Sequence, residues 1–318
     1  HGLHRTRPHS LRRALHWSRD RNRNYFSDCT MTASVTNEFS DGPFPRNFGD
    51  YELVAEIARG SMGVVYEAHD RLANRRVALK TMLASQREDP VRVERFLREA
   101  RQAAAIHHEN VVCVYRVGEL EQQPYFTMAL VDGEDLEEVA AEGALPPRRV
   151  AEIGLAIARA LEAAHAVGLV HRDIKPGNVL IDAAGAVLVT DFGVAKMIDD
   201  DSTLTIDGEV FGSPSYMAPE QAMASGYAEI GPAADVYGVG AVLYRLLAGR
   251  PPFVGSTAVG TMNLVLEQEP VALDRIAPGV PKALATIIHQ CLQKAPKRRY
   301  RDGGHLAADL QRFGAEMG

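Results

Sequence analysis

The chain has 318 residues, of which 46% are apolar, 24% charged and 7% aromatic. These values are ordinary for a globular protein, so they exclude collagen-like, coiled-coil and largely disordered chains and leave room for one large domain or two ordinary ones. The net charge is −6, and after residue 50 there are 36 acidic side chains against 27 basic ones. An acidic body of this kind argues against a nucleic-acid partner.

Cysteine usage suits a reducing compartment, and hydropathy predicts no membrane span. Cys29, Cys113 and Cys291 are widely separated and form no CxxC pair, which argues against a disulfide framework and a zinc cluster. No apolar run reaches the roughly 18 residues that a membrane span needs, so we expect no span in this chain. A cytoplasmic location is the simplest interpretation.

Residues 1–50 are predicted to be an N-terminal extension without stable structure. Their arginine-rich start lacks the apolar block of a secretory signal. Because Met31 can serve as a translation start, residues 1–30 have two interpretations, namely upstream sequence or an arginine-rich arm that binds RNA or lipid. The prolines and glycines of residues 40–50 predict an irregular linker.

From Tyr51 onward the pattern predicts a β-meander and then a helix. Three strand-like segments are separated by short polar turns: YELVAEIA, GVVYEAHD and RRVALKTM. The next segment repeats apolar residues at spacings of three and four after an Asp89-Pro90 helix start. Two further strand-like segments follow, VVCVYRVGEL and PYFTMALV.

The second half of the chain is predicted to be mostly helical. Two apolar stripes show helical spacing, one of Val150, Ile153, Ile157 and Leu161, and one of Leu284, Ile287, Ile288, Cys291 and Leu292. The chain is therefore predicted to be an α+β protein with a small β-rich half and a larger helical half.

The turn between the first two strands carries the first chemical signal. Gly60 and Gly63 allow the backbone to approach a phosphate, although two glycines also suit an ordinary hairpin turn. Lys80 lies in a strand between apolar neighbours, where a lysine needs an anionic partner unless it reaches solvent. Glu99 on the predicted helix is the natural partner, unless it is an ordinary exposed charge.

Two polar clusters follow, HRDIKPGN at residues 171–178 and VTDFG at residues 189–193. Asp173, Asn178 and Asp191 offer hard oxygen ligands for Mg²⁺ and a proton acceptor, a set that suits phosphoryl transfer. The two motifs, in this order and after the VALK segment that contains Lys80, are too specific to arise by chance.

With these motifs the chain resembles the eukaryotic-type protein kinases, specifically the bacterial serine/threonine kinases, over residues 51–313. The resemblance implies a bilobal fold, with an antiparallel β-rich N-lobe with one main helix over residues 51–131 and a mostly helical C-lobe over residues 132–318. It implies transfer of the γ-phosphoryl group of ATP, with Mg²⁺ or alternatively Mn²⁺, to serine or threonine hydroxyls of protein substrates in signal transduction. It also implies autophosphorylation in a transient homodimer, in a free domain or in the cytoplasmic part of a membrane-anchored kinase.

The same resemblance assigns the ATP site. Met128 matches the back of the pocket, Ala129 and Val131 the hinge backbone, and Asp135 a ribose contact. The full set of residues implied to bind ATP is Ile57, Gly60, Ser61, Gly63, Val65, Ala78, Lys80, Met128, Ala129, Val131, Asp135 and Leu180. Ala58 replaces the usual first glycine of the loop, which is expected to stiffen it.

Catalytic roles also follow from the resemblance. Lys80, paired with Glu99, would hold the α- and β-phosphates, and Lys175 would steady the γ-phosphate. Asp173 would be the base that accepts the hydroxyl proton, and Asn178 and Asp191 would be the metal ligands. Three further matches are expected to be structural: Glu220 with Arg299 as a buried ion pair, and Asp235 as an anchor for the HRD backbone.

The activation segment, residues 191–220, departs from its bacterial relatives. Asp207 and Glu209 occupy positions where phosphorylated threonines are usual. We hypothesise that these acids partly supply the charge that Arg172 and Lys196 need; the alternative is that they are solvated loop acids. The remaining implied regulatory residues are Ser202, Thr203 and Thr205 as autophosphorylation candidates and Ser213 as a contact of the base.

The sequence also bears on substrate choice and on two alternative functions. Gly177 and Arg245 stand where kinases that prefer arginine-rich substrates carry acids, so we expect no strong preference for arginine just before the phosphoacceptor. A pseudokinase scaffold and a small-molecule phosphotransferase are the alternatives. The complete catalytic set argues against the first, and the long activation segment argues against the second.

Overall fold

The computed structural model describes residues 43–60, 63–192, 214–223 and 230–316. The chain forms a smaller lobe built on an antiparallel sheet and a larger lobe built on helices, in agreement with the predicted α+β class.

The sheet of the small lobe has six strands in the order β1-β2-β3-β4-β6-β5, and each neighbouring pair is antiparallel. The strands are β1 (Arg46–Phe48), β2 (Tyr51–Arg59), β3 (Gly63–Asp70), β4 (Arg75–Met82), β5 (Val114–Leu120) and β6 (Gln123–Ala129). The three predicted meander strands are confirmed as β2, β3 and β4. Alternation along β3 buries every second side chain, as expected for a sheet with one face on the core.

Strand β1 was not predicted, and it corrects the linker proposed for residues 40–50. Its register pairs Arg46 with Leu53 and Phe48 with Tyr51. Phe48 is only 1% exposed and meets the ring of Tyr125 edge to face at 5.2 Å. The last part of this segment is therefore a core element of the small lobe and not an irregular linker.

One long helix packs on this sheet. A short helix α1 (Ala84–Arg87) leads into α2 (Pro90–Ala104), and Asp89 caps α2 by accepting a hydrogen bond from the backbone N–H of Val91. Pro90 at the first helical position needs no hydrogen bond there. The predicted helix start is confirmed, and the buried face of α2 carries Phe96 and Glu99 toward the sheet.

The large lobe combines a small three-stranded sheet with eight helices of the described chain. Its elements are β7 (Gly133–Asp135), α3 (Leu136–Ala141), α4 (Pro147–Ala166), β8 (Val179–Asp182), β9 (Val187–Val189), α5 (Pro219–Ala222), α6 (Pro232–Ala248), α7 (Ala258–Glu267), α8 (Leu273–Ile276), α9 (Lys282–Cys291) and α10 (Gly303–Glu316). None of the helices in the described ranges has both the length and the apolar character needed to cross a membrane.

Helix α6 lies at the centre of the large lobe, and nearly all of its side chains are buried. Its neighbours approach so closely that a Cβ on Gly240 would lie 2.5 Å from the Cβ of Cys291 on α9. The predicted stripe of α4 is fully buried against this core, with Val150 and Leu161 at 0% exposure. The stripe on α9 packs in the same core, so both helix predictions are confirmed.

Replacing Phe48 tests whether β1 belongs to the folded unit. We expect Phe48→Ala to destabilise the protein by about 3–5 kcal/mol, because it removes a buried aromatic ring from the sheet core. The matched control is Phe44→Ala, whose side chain is 36% exposed and whose loss should cost about 1 kcal/mol or less. Thermal or urea unfolding measures both variants, and equal effects would contradict the assignment.

Candidate active site

The catalytic loop is held by one buried carboxylate from helix α6. Asp235 accepts hydrogen bonds from the backbone N–H groups of His171 at 2.7 Å and Arg172 at 2.6 Å. It also accepts a bond from Nε2 of His165 at 2.9 Å. Its side chain is fully buried, so these donors replace the water that a carboxylate otherwise requires. The prediction that Asp235 anchors the HRD backbone is confirmed.

Arg172 and Asp191 both have left-handed backbone conformations, with φ of 63° and 60°. Such a conformation costs a residue with a side chain roughly 1–3 kcal/mol, so the surroundings must enforce it. At Arg172 the enforcing bond comes from Asp235. His171 links the two sites, because its Nε2 donates to the carbonyl of Thr190 at 2.9 Å and its ring lies 4.7 Å from that of Phe192.

Asp173, the predicted base, is buried among donors. Its Oδ2 accepts hydrogen bonds from Nζ of Lys175 at 2.8 Å and from Nδ2 of Asn178 at 3.1 Å. The same Nδ2 also donates to the backbone carbonyl of Asp173 at 2.8 Å. The structure therefore brings together three of the predicted catalytic residues in one hydrogen-bonded group.

Across the cleft, Lys80 of β4 pairs with Asp191 at 2.6 Å, and its side chain is 9% exposed. The predicted ion pair between Lys80 and Glu99 is absent from the described part of the chain, which corrects that expectation. Lys80 finds its anion in Asp191, so the strand lysine keeps a charged partner although the partner is not the predicted one.

Glu99 is buried on α2, and its Oε2 has no hydrogen-bond partner among the described residues. Burial raises the pKa of Glu99 to about 7, and the nearby charge of Arg172 opposes that shift. The carboxyl thus lies within the field of the HRD arginine and not against Lys80. A buried acid without a hydrogen bond to its charged form is held in its neutral form more readily than in water.

The residues assigned to the adenine site form one apolar cluster. Ala78 and Met128 are buried in it, and further members come from both lobes: Val65, Ala129, Val131 and Leu180. Ile57, the remaining apolar member of the predicted set, is half-buried on β2 and is not part of this cluster. The hydroxyl of Thr190 lies 3.9 Å from Sδ of Met128, which closes the cluster at the back.

The two glycines of the phosphate loop have different surroundings. A Cβ on Gly63 would lie 2.2 Å from the backbone oxygen of Thr81, so close strand packing requires this glycine. A Cβ on Gly60 would meet none of the described residues within 4 Å, which leaves space beside them where a phosphate is expected. The backbone N–H of Gly60 donates to the carbonyl of Gly63 at 2.9 Å and closes the turn.

At the hinge, two of the predicted ATP-binding residues already have structural bonds. The backbone N–H of Ala129 donates to the carbonyl of Cys113 at 2.9 Å, so this N–H is not available to a nucleotide. Asp135 caps α3, because its Oδ1 accepts from the backbone N–H of Glu138 at 2.9 Å. The Oδ2 of Asp135 points toward Gly177, where it lies 4.0 Å from the position of an added Cβ.

The predicted ion pair between Glu220 and Arg299 is confirmed, with two N···O distances of 2.7 Å. The guanidinium is fully buried and also donates to three backbone carbonyls, those of Ala233, Gln293 and Lys294. This saturation explains how a buried charge is tolerated at the end of the activation segment.

Several predicted residues lie outside the described part of the chain. These are Ser61, Lys196, Ser202, Thr203, Thr205, Asp207, Glu209 and Ser213. Conversely, sequence reasoning gave no role to His165, the ring of His171 or Gln221. The histidines stand within or just before the HRD motif, and Gln221 follows Glu220 directly, so proximity to a motif was the available signal.

Comparison with known proteins identifies the class of this fold and site. The model of the protein kinase domain family matches residues 51–307, and the chain belongs to this family. The prediction of a serine/threonine protein kinase catalytic domain is confirmed by this match and by the names of its relatives.

Two curated relatives illustrate the match. The probable serine/threonine-protein kinase SCO3848 of Streptomyces coelicolor is 38% identical over 84% of this chain and 40% of its own length. Serine/threonine-protein kinase PknA of Mycobacterium tuberculosis is 40% identical over 81% of this chain and 60% of its own length. The chain thus spans about half the length of such relatives.

A solved structure shows the same fold. The kinase domain of Mycobacterium tuberculosis PknI superposes with a TM-score of 0.67 at 28% identity, covering 84% of this chain and 97% of that one. The similarity extends over both lobes, in agreement with the bilobal architecture described above.

The buried Glu99, whose Oε2 has no hydrogen-bond partner among the described residues, predicts a pH-dependent stability. As the pH rises from the ordinary value of 4.5 to about 7, the unfolded chain releases this proton first, so the folded state loses stability. The loss is complete above about pH 7 and amounts to roughly 3 kcal/mol. We expect Glu99→Gln to raise the melting temperature at about pH 8 and to have little effect at about pH 4.5.

The matched control is Glu94→Gln, which changes an exposed glutamate on the same helix. Its melting temperature should follow that of the parent at every pH. If Glu99→Gln stabilises the protein equally at both ends of the pH range, the burial of an ionising carboxyl is not the cause.

Proposed function

We propose that this chain transfers the γ-phosphoryl group of ATP to serine and threonine hydroxyls of proteins. The observation that carries the proposal is the group formed by Asp173, Lys175 and Asn178, together with the Lys80–Asp191 pair. The two are close in space, because the backbone N–H of Thr190, next to Asp191, donates to the carbonyl of Asn178 at 3.0 Å. A buried carboxylate beside fixed cations and amides suits a reaction catalysed by positioning and charge stabilisation.

ATP is proposed to lie between the lobes. The adenine would fill the apolar cluster around Ala78 and Met128, which joins residues of the sheet to Leu180 of β8. Lys80 would hold the α- and β-phosphates in the space beside Gly60. The ribose would lie near the Oδ2 of Asp135, since the other oxygen of that carboxylate caps α3.

The metal ligands are proposed to be Asn178 and Asp191, for Mg²⁺ or alternatively Mn²⁺. Nδ2 of Asn178 donates inward to Asp173, which leaves its amide oxygen as the donor atom for a cation. Across the described ranges, no three His, Cys, Asp or Glu side chains group as a metal site. A hard cation here would therefore complete its shell with phosphate oxygens and water, as Mg²⁺ prefers. When bound, it would neutralise charge on the phosphates.

Within this arrangement the chain's own residues have distinct tasks. Asp173 would accept the proton of the substrate hydroxyl at a carboxylate oxygen. Lys175, whose Nζ lies 2.8 Å from that carboxylate, would stabilise charge on the transferred group. The left-handed backbone at Arg172 and the bonds from Asp235 would keep the base in place during the transfer.

Regulation is proposed to reside in the part of the activation segment that lies outside the described residues, 193–213. Our hypothesis remains that Asp207 and Glu209 partly supply the negative charge for Arg172 and Lys196. Ser202, Thr203 and Thr205 are the proposed autophosphorylation sites, and Ser213 the proposed contact of the base. A transient homodimer would allow one copy to phosphorylate another.

Two rival functions have less support. A pseudokinase scaffold would not need Asp173, Asn178 and Asp191 together, and the relatives are named as kinases. A small-molecule phosphotransferase would not need the Glu220–Arg299 pair that holds the end of a long activation segment.

A radiolabelled-ATP assay with the purified chain tests the proposal. We expect Asp173→Asn to lower phosphorylation of the protein by about 10²–10⁴-fold, because the general base is lost while the size of the side chain is kept. The control is Asp132→Asn, a hinge-side acid whose side chain is 74% exposed; this variant should retain activity.

Mixing the two species tests transfer between copies. Active parent protein should label the Asp173→Asn chain, and mass spectrometry of the product identifies the modified hydroxyls. An inactive parent, or equal activity of Asp173→Asn and the parent, would overturn the proposed function.

Substrate choice is proposed to depend on Arg245 of α6. Its Nη2 lies 2.6 Å from Oε1 of Glu137 on α3, and its side chain is 16% exposed. Both charges also act on the hydroxyl of Tyr216, near the end of the activation segment, although burial is the main cause of the raised pKa of Tyr216. The carboxylate of Glu137, which acts on Tyr216, is therefore already neutralised by an arginine.

A peptide array tests this specificity. We expect the parent to show no strong preference for arginine just before the phosphoacceptor. Arg245→Met should raise the preference for basic peptides about fivefold, since it leaves Glu137 without its cation. Arg245→Lys, which keeps the charge, is the control and should behave like the parent. A strong preference for arginine in the parent would contradict the proposal.

A further inference from the structure

Gln221 is a buried polar side chain that none of the roles above requires. It lies on the short helix α5, directly after Glu220, and is 9% exposed. Its Oε1 accepts a hydrogen bond from the backbone N–H of Ala218 at 3.1 Å. Its Nε2 donates to the backbone carbonyl of Arg172 at 2.8 Å. The amide therefore joins the end of the activation segment to the catalytic loop.

The bond to Arg172 acts on a specific peptide plane. The carbonyl of Arg172 and the N–H of Asp173 belong to the same peptide unit, which is planar. Gln221 holds its oxygen, and Nδ1 of His171 accepts from its N–H at 3.2 Å. A plane held at both ends cannot rotate, and its orientation sets the direction in which the Asp173 side chain leaves the backbone.

The conformation of Arg172 makes this bond necessary. With φ at 63°, the residue occupies a region that side chains disfavour. Asp235 holds its N–H at 2.6 Å, and Gln221 holds its carbonyl. Two buried side chains from different helices thus fix the left-handed residue that precedes the proposed base.

We propose that Gln221 is a positioning residue that aims the carboxylate of Asp173 by holding the Arg172 carbonyl. The inference rests on the proposed function, since it assigns a role in that same reaction. Gln221 receives its own bond from Ala218, which directly follows Met217, a buried residue of the cluster that includes Met262 on α7. The orientation of the Asp173 carboxylate therefore depends on how the end of the activation segment packs against the large lobe.

Gln221→Glu is the sharpest test, because it keeps the size and the acceptor of the side chain, while the ionised glutamate has no donor for Arg172. We expect kcat for a peptide substrate to fall at least about tenfold, because the buried carbonyl loses its partner and the peptide plane is released. The KM for ATP should stay within about twofold, because this peptide plane is not among the groups proposed to contact the nucleotide.

The matched control is Gln123→Glu. Gln123 is 1% exposed on β6, and its Nε2 donates to the backbone carbonyl of Met82 at 2.9 Å, so it loses the same kind of bond in the other lobe. It should lower the melting temperature without changing kcat per folded molecule. Gln221→Met, an apolar variant of similar length, should reproduce the fall in kcat if the glutamate variant folds poorly.

The outcomes separate this inference from the proposed function. An active parent with Gln221 variants that lose kcat and keep the KM for ATP supports the positioning role. Folded Gln221 variants with kcat within about threefold of an active parent would overturn it. An inactive parent would instead overturn the proposed function.

Discussion

The proposed catalytic centre depends on the hydrogen bonds that the carboxylate of Asp235 accepts. This carboxylate lies fully buried on the central helix of the large lobe and accepts bonds from the backbone of His171 and Arg172. A third bond comes from His165, whose Nδ1 accepts from the backbone N–H of Gly303 at the start of α10. The loop proposed to carry the chemistry is therefore tied, through the side chains of Asp235 and His165, to the first turn of the last helix.

The two lobes meet through charges that have more than one available partner. Lys80 pairs with Asp191, and Glu99 lies within reach of the field of Arg172. Lys80 is proposed to bind the phosphates, and Asp191 the cation, once a nucleotide is present. Burial of Glu99 disfavours its charged form, and its Oε2 has no hydrogen-bond partner among the described residues. A cation brought close to this carboxylate would offset that desolvation cost.

Much of the architecture could be predicted because it follows from local patterns. Strands β2 to β4 alternate with short polar turns, and the start of α2 is marked by Asp89 and Pro90. Strand β1 could not be predicted, since three residues between turn formers are a strand only when β2 lies alongside. Its burial comes from tertiary contacts of Phe48, which no local pattern reveals.

In the site, too, some features follow from local sequence patterns and others depend on tertiary contacts. The sequence motifs identified Asp173, Asn178 and Asp191 as site residues. In the structure, the first two are joined by a hydrogen bond. A motif identifies residues but not the conformation that they adopt, so the pairing of Lys80 with Asp191 is visible only in the folded chain. Gln221 has no spacing signal, because its bond crosses 49 positions of sequence to a backbone carbonyl.

The closed back of the apolar cluster has a consequence for inhibitor chemistry. Met128 is 8% exposed, and the hydroxyl of Thr190 touches its sulfur, so a planar compound at the proposed adenine site would meet a closed wall there. Compounds with a bulky substituent directed at that wall would be excluded by shape.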